Sequence, residues 1–199
     1  MKKIMVTPLA DKAIADLRTG DIFYLSGTLA TGRDDVHRRV VHEGMSCPFD
    51  FRGLAIFHAG PIVKEEGEKC ELISVGPTSS IRMEKWAADF IAQTGVKIMI
   101  GKGGMGNETA AACREHKAIH CVYPGGCAAL GASQVEKITG VYWRELGMPE
   151  CLWVMQVREF GPLMVSIDAR GNNMFAENAA LYASRKEACM KPIMESLKR

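Results

Sequence analysis

The sequence predicts an α/β fold, and three observations predict it. Apolar strand-like runs alternate with helical segments from Val96 onward, and most of these runs end in glycine. The third is composition: 47% hydrophobic and 24% charged residues, the balance of a globular chain. At 199 residues the chain suits one domain, 1–199, with a sizeable core. A formal net charge of +2 gives no basic surface for nucleic acid. No apolar run approaches the roughly 20 residues of a membrane span, and "MKKIMVTPLADKAIADL" lacks a stretch of signal-peptide length. Cys47, Cys70, Cys113, Cys121, Cys127, Cys151 and Cys189 are scattered, with no C-x-x-C and no zinc or cluster spacing. They read as reduced thiols of a cytoplasmic protein without a metal site of its own.

In order along the chain, "DIFYLSG" (21–27), "LAIFHAGPIV" (54–63) and "CELISVG" (70–76) are β-rich and closed by glycine or proline, so they predict strands. "RDDVHRRVVHEG" predicts a short helix, with aspartates favoured at its positive end and Gly44 as its stop. "IRMEKWAADFIAQTG" repeats Met83, Trp86, Phe90 and Ile91 at helical spacing. Strand "VKIMIG", helix "NETAAACREHKA", strand "IHCVYPGG", helix "CAALGASQVEKI" and strand "GVYWREL" follow, an alternation that predicts parallel strands joined by crossover helices. "CLWVMQVREF" and "PLMVSID" predict a hairpin around Gly161, and 176–199 a helical tail bent or broken at Pro192.

Gly101, Gly103 and Gly106 satisfy G-x-G-x-x-G between a strand and a helix. Such a helix start exposes unpaired N–H groups that attract anions, and Lys102 adds a full charge. A dinucleotide turn also needs a carboxylate about 20 residues on, where the sequence reads "CVYPGGC". A nucleotide-binding oxidoreductase is thus the remote alternative, and a turn that merely packs helix on strand stays open. "SVGPTSSIRM" and "SGTLATGRDDVHRR" are further glycine-led turns with hydroxyls and an arginine. Arg82 in a first helical turn opposes the dipole and needs another reason, such as a carboxylate ligand. Singly, Ser79 or Ser80 as an N-cap, Arg33 as a partner of Asp34 or Asp35, and a solvated Lys102 would explain each turn. Together, Arg33, Arg82 and Lys102 at strand-to-helix turns suit a small dianion. "YPGGCAALG" sets Cys127 at a helix start, where a lowered thiol pKa competes with plain core packing. Of the histidines, His37 is the natural acid or base at neutral pH, whereas His42, His58, His116 and His120 are dispersed. Trp86, Trp143 and Trp153 read as core or subunit contact.

"GPTSSIRM", "TGVKIMIGKGGMG", "FHAGPIV", "ELGMPECLWV", "EFGPLMVSIDARGNN" and "TGRDDVHRR" together resemble the β subunit of iron–sulfur hydro-lyases of the tartrate dehydratase and class I fumarase type. The resemblance spans nearly the whole chain; Thr31–Arg39 and "FAENAALYA" lean toward the tartrate type. It implies a swivelling β/β/α domain with a mixed sheet and flanking helices, paired with an α subunit that carries a 4Fe–4S cluster on its own cysteines. It implies that Arg33, Thr78, Arg82 and Lys102 contact a small dicarboxylate. Thr78 or His37 would move the proton, with Lys102 beside it, Asp34 as support, and Gly101 and Gly103 lending backbone N–H groups.

Overall fold

The computed structural model describes residues 2–67 and 69–197. In chain order it has β1 (Ile4–Val6), α1 (Asp11–Ala15), β2 (Ile22–Thr31), α2 (Asp34–His37) continued by a π-helical turn (Arg38–His42), and β3 (Ala55–Phe57). There follow β4 (Ile62–Glu66), β5 (Lys69–Ser74), a 3₁₀ turn (Ser80–Met83), α3 (Glu84–Thr94), β6 (Ile98–Gly101) and α4 (Asn107–His116). The chain continues with β7 (Ile119–Val122), α5 (Ala128–Ser133), β8 (Val135–Tyr142), a 3₁₀ turn (Arg144–Leu146), β9 (Leu152–Ile167) and α6 (Met174–Ser196). The result is a mixed sheet with flanking helices.

β1–β2, β2–β3, β3–β6 and β6–β7 pair in parallel, each through a crossover, as alternating strands and helices require. β9 runs antiparallel to both β7 and β2, so β2, β3, β6, β7 and β9 close into a ring, with β8 flanking along β9. Alternate side chains separate two apolar layers. Leu25, Leu29, Phe57, Ile98, Ile100, Cys121, Trp153 and Met155 fill the inside of the ring. Ala30, Ile56, Met99 and Val154 face outward and meet Val36, Phe90, Ile91 and Cys113 from α2, α3 and α4. Each large side chain buried this way contributes about 1.5–3 kcal/mol.

The structure corrects three expectations. "LAIFHAGPIV" splits into β3 and β4 across residues 58–61, whereas "CELISVG" is a strand as expected, β5, paired only with β4 in a separate two-stranded hairpin. The helix expected over 127–138 stops at Ser133; Val135 and Ile138 belong to β8, which runs antiparallel on β9 and is not a parallel crossover strand. The expected hairpin at Gly161 is one strand, β9, that bends without reversing. Glu159 (φ 49) and Gly161 (φ 150) take unusual backbone there. Side chains replace the lost ladder bonds: the Gln134 amide donates to the Gly161 carbonyl (2.8 Å) and accepts from Gly161 N–H (3.2 Å), while Ser26 Oγ accepts from Glu159 N–H (2.9 Å).

α6 begins at Asn173, whose side chain accepts from Phe175 and Ala176 N–H and donates to the Met105 carbonyl (2.9 Å). Beyond that anchor no residue of the helix is buried, and Pro192 lies within it without ending it. Lys198 and Arg199 of the expected tail lie outside the described residues. Among the described residues no helix is long and apolar enough to cross a membrane.

Candidate functional site

In parallel α/β sheets, ligand sites assemble outside the carboxyl ends of the strands. β2 ends at Thr31 and leads through Gly32 to Arg33; β6 ends at Gly101 and leads to Lys102. The segment 77–80 is laid across the ends of β3, which lies between them, and β6 by two isolated bridges, Ala59 with Pro77 and Ser79 with Lys102. Backbone bonds tie it in place: Thr78 N–H donates to the His58 carbonyl (2.7 Å), Lys102 N–H to the Thr78 carbonyl (3.0 Å) and Ser80 N–H to the Lys102 carbonyl (3.0 Å). Thr78, Arg82 and Lys102 therefore share one edge of the molecule.

Arg82 donates through one terminal nitrogen to Thr78 Oγ1 (2.9 Å), and its other nitrogens pair with the Asp34 carboxylate. Arg33 pairs with Glu150 (2.9 Å), and its guanidinium closes over Gly60, where an added Cβ would stand 2.7 Å from it. Burial alone pushes the Asp34 carboxyl up, but the hydrogen bond and charge of Arg82, with Arg33 behind, hold it below the usual carboxylate range. At Glu150 burial wins over the Arg33 charge, and nearby Asp35 and Asp34 add to it, so this carboxyl is raised. Two carboxylates of one site are thus driven in opposite directions. Among the described residues Lys102 forms no ion pair, and its ammonium lies exposed beside an open depression of ≈ 440 Å³ shared with Ser79, Ile81, Gly103 and Phe175.

Other predicted residues have different positions. His37 is fully buried; its ring packs on Phe90 (4.4 Å between centroids), and burial lowers its pKa to about 4. Its Nδ1 lies 2.8 Å from the Arg33 carbonyl, which only accepts, so Nδ1 carries the proton and Nε2 is a bare lone pair. It supports Arg33 from below and does not reach the surface with the cations. Asp34 orients Arg82, and neither Arg33 nor His37 is its hydrogen-bond partner. Neither Ser79 nor Ser80 caps a helix; Ser80 Oγ turns inward to His58 Nδ1 (2.9 Å). Gly101 is buried, and a Cβ there would lie 1.9 Å from Ser80 Oγ, so its role is close approach. Gly103 (φ 75) faces open space. Cys127 is half-buried and packs on the inner core.

The glycine loop does hold an anion, and that anion is the chain's own. Glu84 at the start of α3 reaches the N-terminus of α4, accepting from Gly106 N–H (2.7 Å), Thr109 N–H (3.2 Å) and the Thr109 hydroxyl (2.6 Å). A pyrophosphate would have to displace it, which removes the physical basis of the nucleotide reading. Glu84, Glu150, His58 and Ser80 contact the candidate site's residues and were missed by sequence reasoning. Glu150 lies in the quoted "ELGMPECLWV" stretch, which was its one signal; Glu84 had none.

This geometry coincides with family membership. Residues 1–178 match the Fumarase C-terminus family. The chain is 54% identical over 195 residues to the L(+)-tartrate dehydratase subunit beta of Escherichia coli (strain K12), covering 98% of this chain and 97% of that one. The protein of the same name from Shigella boydii is 53% identical over the same shares. A protein of Geobacillus stearothermophilus, provisionally named a class I fumarate hydratase, is 34% identical over 168 residues, 84% of this chain but 32% of that protein. A chain matched over this length, with arginines, threonine and lysine gathered at one sheet edge, belongs to the fumarase C-terminus family of hydro-lyases.

Proposed function

We propose that this chain is the β subunit of a cytoplasmic hydro-lyase that dehydrates L(+)-tartrate to oxaloacetate and water, working with an α subunit. The observation that carries the reading is the grouping of Thr78, Arg82 and Lys102, with the charge of Arg33 beside Asp34, at one end of the strand ring. The names of the relatives support the substrate and the subunit role. In this reading the chain is one hydro-lyase domain over 1–199, of the swivelling β/β/α type.

Dehydration of a 2-hydroxy dicarboxylate removes a proton from the carbon beside a carboxylate. The charge that develops there is best stabilised by fixed cations, and losing one such group costs about 3–4 kcal/mol. Arg33, Arg82 and Lys102 supply them. Arg33 and Arg82 are held by Glu150 and Asp34, so their positions are set before substrate arrives. Thr78 is the proton acceptor: the Arg82 N–H donated to its oxygen favours the alkoxide over the hydroxyl and lowers the cost of using threonine as a base. His37 holds the Arg33 backbone through its Nδ1. Gly103 leaves room for substrate at the Lys102 turn.

The 4Fe–4S cluster implied by the family does not fit this chain's own donors. Among the described residues no three Cys, His, Asp or Glu side chains gather to hold a metal. Burial pushes the Cys47, Cys113, Cys121 and Cys151 thiols up, away from the thiolate form that ligation needs. The cluster and its Lewis acidity toward the leaving hydroxyl are assigned to the α subunit.

A second reading, fumarate hydration, is favoured by the likeness to the Geobacillus protein. Anaerobic assay of the co-produced αβ complex on L(+)-tartrate, fumarate and malate decides between them. Arg82→Ala or Lys102→Ala is expected to lower turnover by about 100- to 1,000-fold while assembly survives. Full activity of the isolated chain without iron, or assembly loss alone in these variants, overturns the proposal.

A further inference from the structure

We infer that His58 and Ser80 are positioning residues for this reaction: their buried side-chain hydrogen bond, seated against Gly101, fixes Thr78, Arg82 and Lys102 relative to one another. The inference rests on the dehydratase reading above.

Three segments that are distant in sequence meet at this point. His58 follows β3, Ser80 opens the turn that carries Arg82, and Gly101 ends β6 immediately before Lys102. Backbone bonds run around them in a circuit. His58 N–H donates to the Ile100 carbonyl (2.7 Å), Thr78 N–H to the His58 carbonyl (2.7 Å), Lys102 N–H to the Thr78 carbonyl (3.0 Å) and Ser80 N–H to the Lys102 carbonyl (3.0 Å). The Ser80 Oγ–His58 Nδ1 contact at 2.9 Å closes that circuit through side chains. Both residues are fully buried, so neither touches a ligand and both act through the residues they hold.

The circuit is tight at one atom. Ser80 Oγ occupies the space a Cβ on Gly101 would need, 1.9 Å away, while His58 Nδ1 and Cβ stand 3.2 and 3.3 Å from the same point. Glycine at 101 is what lets the hydroxyl approach β6 and meet the imidazole. The ring adds no charge to an edge that already carries cations, since burial keeps it neutral and His37, His120 and Arg82 all oppose its protonation. Its other face meets His37 edge-on at 5.2 Å, and His37 in turn holds the Arg33 carbonyl. The same buried layer therefore touches the supports of all three cations.

Such a device sets geometry, and its loss has a kinetic signature, because a misplacement of about 1 Å in a catalytic array costs about 100-fold in rate. In the co-produced αβ complex with L(+)-tartrate as probe, Ser80→Ala and His58→Leu are expected to lower kcat per assembled enzyme about 10–100-fold with KM within about threefold of wild type. His58→Asn, whose carboxamide reaches the place of Nδ1, is expected to recover most of the loss. A merely structural role would lower the melting temperature and the yield of complex, leave kcat per assembled enzyme unchanged, and so overturn the inference. If His58→Leu does not assemble, Ser80→Ala, which removes a single oxygen, decides alone. A wild-type complex inert toward tartrate, fumarate and malate overturns the dehydratase reading and this inference together; an active wild type with unchanged variants overturns only the inference.

Discussion

Replacing Glu84 by alanine tests how the glycine loop is held. Its carboxylate accepts from Gly106 N–H, Thr109 N–H and the Thr109 hydroxyl at 2.7, 3.2 and 2.6 Å. Hydrogen bonds to a charged group are worth about 1.5–3 kcal/mol each, and loss of a cap about 1 kcal/mol. The three share one side chain and water can replace part of them, so a total of about 2–4 kcal/mol is the expected cost. For a chain of this size that lowers the melting temperature by about 5–15 °C. The vacated N–H groups should then bind a free oxyanion. Thermal unfolding followed by circular dichroism, with and without sulfate, measures both effects. Sulfate stabilises proteins in general, so the wild type is the control and the excess stabilisation of Glu84→Ala is the signal. A variant melting within about 2 °C of wild type, or one gaining no more from sulfate than wild type does, would refute the reasoning.

Further expectations concern charge and proton binding. Arg33→Ala, Arg82→Ala and Lys102→Ala should each lower kcat of the assembled enzyme by about 100- to 1,000-fold, measured by anaerobic turnover. Thr78→Ser should keep measurable activity and Thr78→Val none above background, since only the former retains an oxygen for Arg82. His37 binds its proton less tightly folded, at about 4, than at the ordinary 6.5, so its contribution is complete above 6.5 and is lost as pH falls toward 4. That loss is about 3 kcal/mol, readable as a fall in urea midpoint between pH 6.5 and 4 that His37→Asn should flatten. Asp34 has the carboxylate sign: its pairing with Arg82 stabilises the fold above the unfolded pKa and is lost as pH falls through the depressed folded value. The stability gap between wild type and Asp34→Asn should therefore narrow in strong acid, by the same urea series.

The cations of this candidate site were legible because each follows a glycine-bearing turn at the end of an apolar run; parallel strands place the turns of Arg33 and Lys102, whereas that of Arg82 follows β5 of the antiparallel hairpin and is brought in by the Ala59–Pro77 and Ser79–Lys102 bridges. The partners were not. Glu150 meets the Arg33 helix start from 115 residues away, and Glu84 reaches the glycine loop across 22, distances over which local pattern is silent. His37 illustrates a related limit: an ionisable ring three residues after an aspartate reads as exposed chemistry, yet the helix turns it onto Phe90. Val135 and Ile138 lie three apart, a spacing helices favour, but pairing with β9 decides their state. Gly161-Pro162 carries every local sign of a reversal, but pairing with β2 on both sides of the bend, with Gln134 and Ser26 bonding at it, lets the strand continue.

The closing of the strand ring has a consequence for synthesis. β9 bonds to β2 along one edge and to β7 and β8 along the other, and of these strands it leaves the ribosome last. Until Ile167 has emerged, β2 and β7 present unpaired edges, with Leu25, Leu29 and Cys121 lacking their cover. A truncated or stalled product would thus be a sticky open sheet and not a smaller stable protein. With β2 and β9 joined so extensively across the sequence, this fold should form late and slowly.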